Sequence, residues 1–272
     1  MAKIALSLDM EKDLKNIYDM ANRQIYGSNP SISPEILKII KNKEFEECKK
    51  ELRAYNQGIY VSPLIPIFIK SVKEAWNKIE VEYYKKLESI TKKRFPYKKV
   101  SAFVTTINTC PYSPEEISFM LSSNYSLLNS LKSIGHELMH LHFHHYYFKD
   151  IEKRIGHNKT HDLKEALTVL LNHEFLDLWF VKDKGYDKHR ELREFIEKEW
   201  KKEKNFLVNN SENLENKLKR EIAKYDYLFS KNREYNSNPD HERFIVAKEL
   251  LSSINAKDVL DVGVGRGHFL VF

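Results

Sequence analysis

Apolar residues recur along most of this chain at steps of three and four, which predicts a largely helical protein. Residues 8–26 and 34–57 read as helices with charged outer faces, punctuated by Asn29-Pro30 and Ser33-Pro34. Pro34 suits a first helical turn. A longer helical pattern runs from about residue 67 to 94, and Val72, Ala75, Trp76, Ile79, Tyr83 and Leu87 form a face expected to pack in the core. The period changes after Phe95-Pro96. Residues 100–107, rich in β-branched and aromatic side chains, predict a strand; Cys110-Pro111-Tyr112-Ser113-Pro114 predicts a turn; residues 116–122 predict a second strand. Helical spacing returns over 126–148, with Leu127, Leu131, Ile134, Leu138 and Leu141 as its apolar stripe and Asn124, Ser126 or Asn129 available as the cap. A polar connection over 149–161 precedes helices at about 162–181, 188–206 and 212–230.

The expected fold class is therefore α+β, mostly helical, with a small sheet just ahead of the 126–148 helix. Residues 1–235 read as one domain: N-terminal helices over 1–95, a core over 96–206 and a C-terminal helix over 212–230. A linker, centred on 233–240, and a short stub complete 236–272. Hydrophobic residues make up 42% of the chain and charged residues 31%, which places it among globular proteins. The net charge of +6 is spread among alternating Lys and Glu, as in Lys49-Lys50-Glu51, so solvated helix faces are expected and no nucleic-acid partner. The most apolar run, 59–69, is interrupted by Pro63 and Pro66 and is far shorter than the ~20 residues that span a bilayer. With no signal-peptide core near Met1, a cytoplasmic protein with no membrane partner is expected. Cys48 and Cys110 form neither a disulfide framework nor a cysteine metal site.

The chemistry concentrates in His136-Glu137-Leu138-Met139-His140. On a helix, residues four apart share a face with Cβ atoms about 6 Å apart. Two imidazoles so placed can both reach one Zn²⁺ at roughly 2.0–2.1 Å. Glu137 falls at the rim of the same face, where a carboxylate can hold an activated water and take its proton. Leu138, Met139 and Leu141 are uncharged, as a helix flooring a cleft requires. Of the other histidines, His144 continues the 136–140 face by one turn, while His142, His145, His157 and His161 read mainly as surface or packing residues.

Strands, then a helix bearing His136-Glu137-x-x-His140, then a helix bearing a glutamate: this order resembles the zincin metallopeptidases, most of all the gluzincin, thermolysin-like group. The resemblance implies zinc, one per chain, held by both histidines and by Glu165 on the following helix, and hydrolysis of a peptide or protein substrate with Glu137 as general base. Glu165 also has a case of its own, because a carboxylate opening an otherwise apolar helix is costly to bury unless paired or metal-bound. The competing role is a first-turn glutamate favoured by the helix dipole, and the rival ligands are His161, Asp162, His173 and Glu174. Gluzincins commonly carry an Asp one turn after the ligand Glu to orient the first histidine. Here that position is Val169, so Asn172, Thr168 or a residue elsewhere orients His136, or none does. The family also employs a downstream His or Tyr to stabilise the developing oxyanion; Tyr186 and His189 are the nearest candidates.

A second resemblance lies in the tail. Val259-Leu260-Asp261-Val262-Gly263-Val264-Gly265-Arg266-Gly267 resembles the first motif of S-adenosylmethionine-dependent methyltransferases, whose glycines let the backbone approach the cofactor. With the remaining βα units absent, a truncated remnant or a chance match is expected, and no bound cofactor. The alternatives to a peptidase are a non-catalytic metal-binding or regulatory protein of the same shape, and a fragment of a protein fused to such a methyltransferase.

Overall fold

The computed structural model of the chain describes residues 2–23 and 32–210, with the backbone alone for 203–210. The first element is a strand, β1 (Lys3–Leu8), where the sequence pattern had offered only helices for the first 95 residues. Asp9 then caps α1 (Met10–Ala21), its carboxylate accepting from the backbone N–H groups of Glu11 and Lys12 at 3.1 Å each. The helix expected over 34–57 is two helices. α2 (Pro34–Ile40) starts with Ser33 as cap and Pro34 in its first turn, and α3 (Phe45–Tyr60) starts with a capping box between Glu44 and Glu47. Asn42, at φ 57°, supports the left-handed turn between them, a conformation Asn tolerates better than most residues. α4 (Leu64–Thr91) follows the predicted stripe: Val72, Trp76, Tyr83 and Leu87 are buried, and Ala75 and Ile79 pack against them half-buried.

β2 (Lys99–Thr105) pairs in parallel with β1 on one side and with β4 (Ser118–Ser122) on the other. The predicted turn over 110–114 contains β3 (Tyr112–Ser113), which runs antiparallel to β4 at the edge, giving the order β1-β2-β4-β3. Parallel β1–β2 pairing needs a long crossover, and α1 to α4 supply it. The sheet is thus four-stranded and mixed in a mostly helical protein, an α+β fold.

Of the possible caps for the histidine-bearing helix, Ser126 takes the role for α5 (Leu127–Phe143), its hydroxyl accepting from Asn129 N at 3.3 Å. Leu131, Ile134, Leu138 and Leu141 are buried, whereas Leu127, at the helix start, is 41% exposed. Gly135 is where α5 meets its neighbours: a Cβ there would lie 2.6 Å from Trp179 Cη2 and 3.1 Å from Tyr83 Cε2. Tyr83 donates its hydroxyl to the Gly135 carbonyl at 2.7 Å. A methyl group at this position overpacks a rigid aromatic contact, so Gly135→Ala is expected to cost about 1–3 kcal/mol. Urea unfolding measures it, and an unchanged midpoint would show that Trp179 yields.

The stretch read as a polar connection, 149–161, is helical. α5 passes through a five-residue π-helical turn, His144–Phe148, into α6 (Lys149–Ile155). The chain reverses at Gly156, φ 82° and ψ 163°, into α7 (His157–Leu167). The single helix expected over 162–181 is broken into α7, a 3₁₀ turn at Thr168–Leu170, α8 (Leu171–Glu174) and α9 (Leu176–Trp179), with Phe180 at φ 60°. Another 3₁₀ turn, Asp187–His189, leads into α10 (Arg190–Asn210). Among the described residues, no helix is long and apolar enough to cross a membrane. The expected 212–230 helix, the linker and the methyltransferase-like stretch lie outside the described residues.

Candidate metal centre

Three donors converge between α5 and α7. Glu165 Oε2 lies 3.3 Å from His140 Nε2 and 3.7 Å from His136 Nε2, and the ligand atoms of the three residues all fall within 4.8 Å of one another. Two donors each roughly 2.0–2.1 Å from one tetrahedral ion stand about 3.4 Å apart. The Glu165–histidine distances match that requirement, and two imidazoles with a carboxylate form a donor set that suits zinc. His136, His140 and Glu165 are the only such cluster among the described residues.

The position of Glu165 differs from the expectation in one respect. α7 starts at His157, so Glu165 lies near its C-terminal end, where the helix dipole disfavours a carboxylate. Its environment compensates. Burial pushes its pKa up, but His140, His136 and the Lys164 ammonium together hold it well below the usual range. Lys164 is only 4% exposed, its Nζ 2.7 Å from Glu165 Oε1 and 4.3 Å above the ring of Tyr112 on β3. A lysine is seldom buried without such a partner. It occupies one oxygen of Glu165 and leaves the other facing the imidazoles. No sequence pattern signals this, since Lys164 reads as one more surface lysine.

The residue orienting His136 is Asp183, one that no sequence motif marked. Its Oδ2 is 2.8 Å from His136 Nδ1. Arg193 Nη2 lies 3.0 Å from Asp183 Oδ1 and donates to its carbonyl at 2.7 Å. Asn172 clamps the same backbone on both sides, accepting from Asp183 N at 2.7 Å and donating to Asp183 O at 2.8 Å. Thr168, which receives Arg193 Nη1 at 2.6 Å, donates to Glu165 O at 2.7 Å. Asn172 and Thr168 thus support the orienting group rather than touch His136 themselves. Thr168 and Asn172 follow directly on the break after Leu167 and both bond into this segment. Outer-shell partners of this kind typically carry 10–100-fold in metal affinity. Asp183→Asn is expected to weaken zinc binding by about that factor, read by chelator competition; an unchanged constant would make the contact incidental.

Burial lowers the pKa of His136, but the Asp183 charge and hydrogen bond, with Glu165 and Glu137, outweigh it and raise the group to about 10. A metal requires the neutral imidazole. Loading zinc near neutral pH should therefore expel a proton from His136, and apparent affinity should weaken as pH falls. Titration calorimetry in buffers of different ionisation heat is expected to count at least about one proton released; none would mean that His136 is already neutral.

Glu137 is 6% exposed and lines the same cleft. Burial pushes its pKa up, His136 opposes this, and Glu165 and Asp183 add to it, leaving it at about 7. The cleft, about 1010 Å³, is walled by Tyr112, Cys110, Tyr125, His161 and Tyr186 among others. Tyr186 faces it, and burial with the charges of Glu165 and Glu137 raises its phenol pKa. His189 does not line it: 2% exposed, it stands behind the wall with Nε2 2.9 Å from Asp162 Oδ1. The rival ligands are engaged elsewhere. His173 Nε2 is 3.3 Å from Glu197, Glu174 receives Trp200 Nε1 at 2.6 Å, and Asp162 meets His189 and Lys188. His161, in the cleft wall, packs at a tilt against His157, ring centroids 4.5 Å apart. His142 is a buried packing group beside Phe95 and Tyr146, burial lowering its pKa to about 3, and His144 stacks on Phe148. Cys48 and Cys110 are both free thiols. Comparison with family models, curated proteins and solved structures finds no match to the chain.

Proposed function

We propose that this chain is a zinc-dependent metallopeptidase of the zincin kind, gluzincin-like in its ligand set. The observation that carries the reading is the convergence of His136 Nε2, His140 Nε2 and Glu165 Oε2 with a buried Glu137 in one open cleft. A divalent metal held by those three residues supplies Lewis-acid polarisation of a substrate carbonyl and of water. The rest falls to the protein. Glu137, buried beside the ligands, takes the proton of the attacking water and passes it to the amide nitrogen as the C–N bond breaks. Tyr186 donates its hydroxyl to the carbonyl oxygen as charge develops there. Asp183 fixes the ring of His136, and Lys164 fixes Glu165, so neither must reorganise during turnover. The presence of Glu137 in the cleft favours a catalyst over a purely metal-binding protein of the same shape.

The test is digestion of a diverse peptide mixture by the zinc-reconstituted chain, with products identified by mass spectrometry. New peptide termini that disappear on chelation and return with zinc are the expected result. A zinc-loaded chain that cleaves nothing would overturn the reading.

A further inference from the structure

Three of the four carboxylates lining the cleft are paired: Glu165 faces the two histidines and Lys164, Asp183 is bound by His136 and Arg193, and Asp162 by His189 and Lys188, while Glu137 lies at the centre itself. Three of the lysines in the lining are not. Lys132, Lys182 and Lys184 line the cleft and make no ion pair among the described residues, and Arg23 adds a fourth basic group to the lining. Their placement is specific. Lys132 stands four residues before His136 on α5, so Lys132, His136 and His140 share one helix face and the ammonium sits one turn from the first ligand. Lys182 and Lys184 are exposed on either side of buried Asp183. The clamp of Asn172 and Arg193 on the Asp183 backbone fixes where these two lysines emerge.

A concave site lined by one uncompensated sign focuses its field and raises the local concentration of the opposite charge. Resting on the peptidase reading above, we infer that the substrate is an acidic peptide, with Asp or Glu side chains flanking the scissile bond. An extended peptide advances about 3.4 Å per residue, so a cation one helical turn from the ligands, about 5.4 Å along the axis, meets side chains within a few residues of the bond being cut. Lys132 would read one side of that bond and the Lys182–Lys184 pair another part of the acidic stretch.

The experiment uses the full chain, zinc-loaded and carrying Glu137→Gln so that binding is separated from turnover. The probes are a fluorescein-labelled peptide with glutamates on both sides of a central Ala-Phe bond, and the same peptide with lysines in their place. Fluorescence anisotropy is expected to show the glutamate peptide bound about tenfold or more tightly, at the lower end of what a focused field achieves, with the advantage shrinking as salt is raised. A triple Lys132→Glu, Lys182→Glu, Lys184→Glu variant, checked for an unchanged melting temperature and zinc content, is expected to reverse the order. Equal binding of the two peptides, or a preference that survives charge reversal, overturns the inference. So does tighter binding of a labelled single-stranded oligonucleotide than of the glutamate peptide. If the glutamate peptide binds as expected but the zinc-loaded wild-type chain cleaves neither it nor any member of the diverse peptide mixture, the peptidase reading fails and the anionic-ligand site stands.

Discussion

Glu137→Gln is expected to keep its metal and lose turnover by about 10²–10⁴-fold, the usual contribution of a positioned general base. The substitution is nearly isosteric and touches none of the three ligands. Glu137 is buried, so the amide fills the space of the carboxyl and the α5 packing around Leu138 and Leu141 is undisturbed. What is removed is the ability to accept a proton. Zinc content by elemental analysis and rate on a cleaved peptide are to be measured together. Full zinc with undiminished rate would remove Glu137 from the mechanism, whereas zinc lost together with rate would give it a structural part in the site.

Glu165→Ala is expected to reduce zinc affinity well beyond the roughly 10–100-fold cost of losing an outer-shell partner, since it deletes one of three donors. The variant has a second effect to be separated from the first. Lys164 would be left as a buried ammonium without its carboxylate, and breaking a buried pair from one side costs about 3–5 kcal/mol. A Lys164→Met, Glu165→Ala double variant removes that unpaired charge. It is expected to recover much of the thermal stability and none of the zinc. Elemental analysis and a melting curve on both proteins decide the matter: zinc retained in both would transfer the third-ligand role away from Glu165.

What could be read from the residues alone was the part set by short-range periodicity. The α5 helix, the buried face of α4 and the shared face of His136 and His140 depend on spacings of three or four residues, which a sequence displays directly, while the choice of Ser126 among three possible caps came from the structure. The glutamate at 165 was reachable because an acidic residue in an apolar stretch is conspicuous. The missing parts depend on long-range geometry. β1 stands apart from the other strands in sequence, and only its parallel register with β2, Lys3 against Lys99, shows where it belongs. Asp183 lies between two lysines in the connection between two expected helices, and nothing in that context points to an imidazole at position 136. The breaks after Leu167 and at Phe175 interrupt a stretch whose local pattern is continuously helical.

The π-helical turn at His144–Phe148 has a bearing on how the third ligand arrives. An α-helix rotates by about 100° per residue, so a turn that accommodates an additional residue shifts the azimuth of everything beyond it by roughly that angle. Ile151 on α6 faces the interior at the resulting phase, and α6 in turn aims Gly156 and α7. The metal donor at 165 is thus delivered by a change of helical phase made well before it. Substitution within the turn leaves that phase in place, but deletion of a single residue there acts as a rotation, carrying Glu165 off the axis on which His136 and His140 wait.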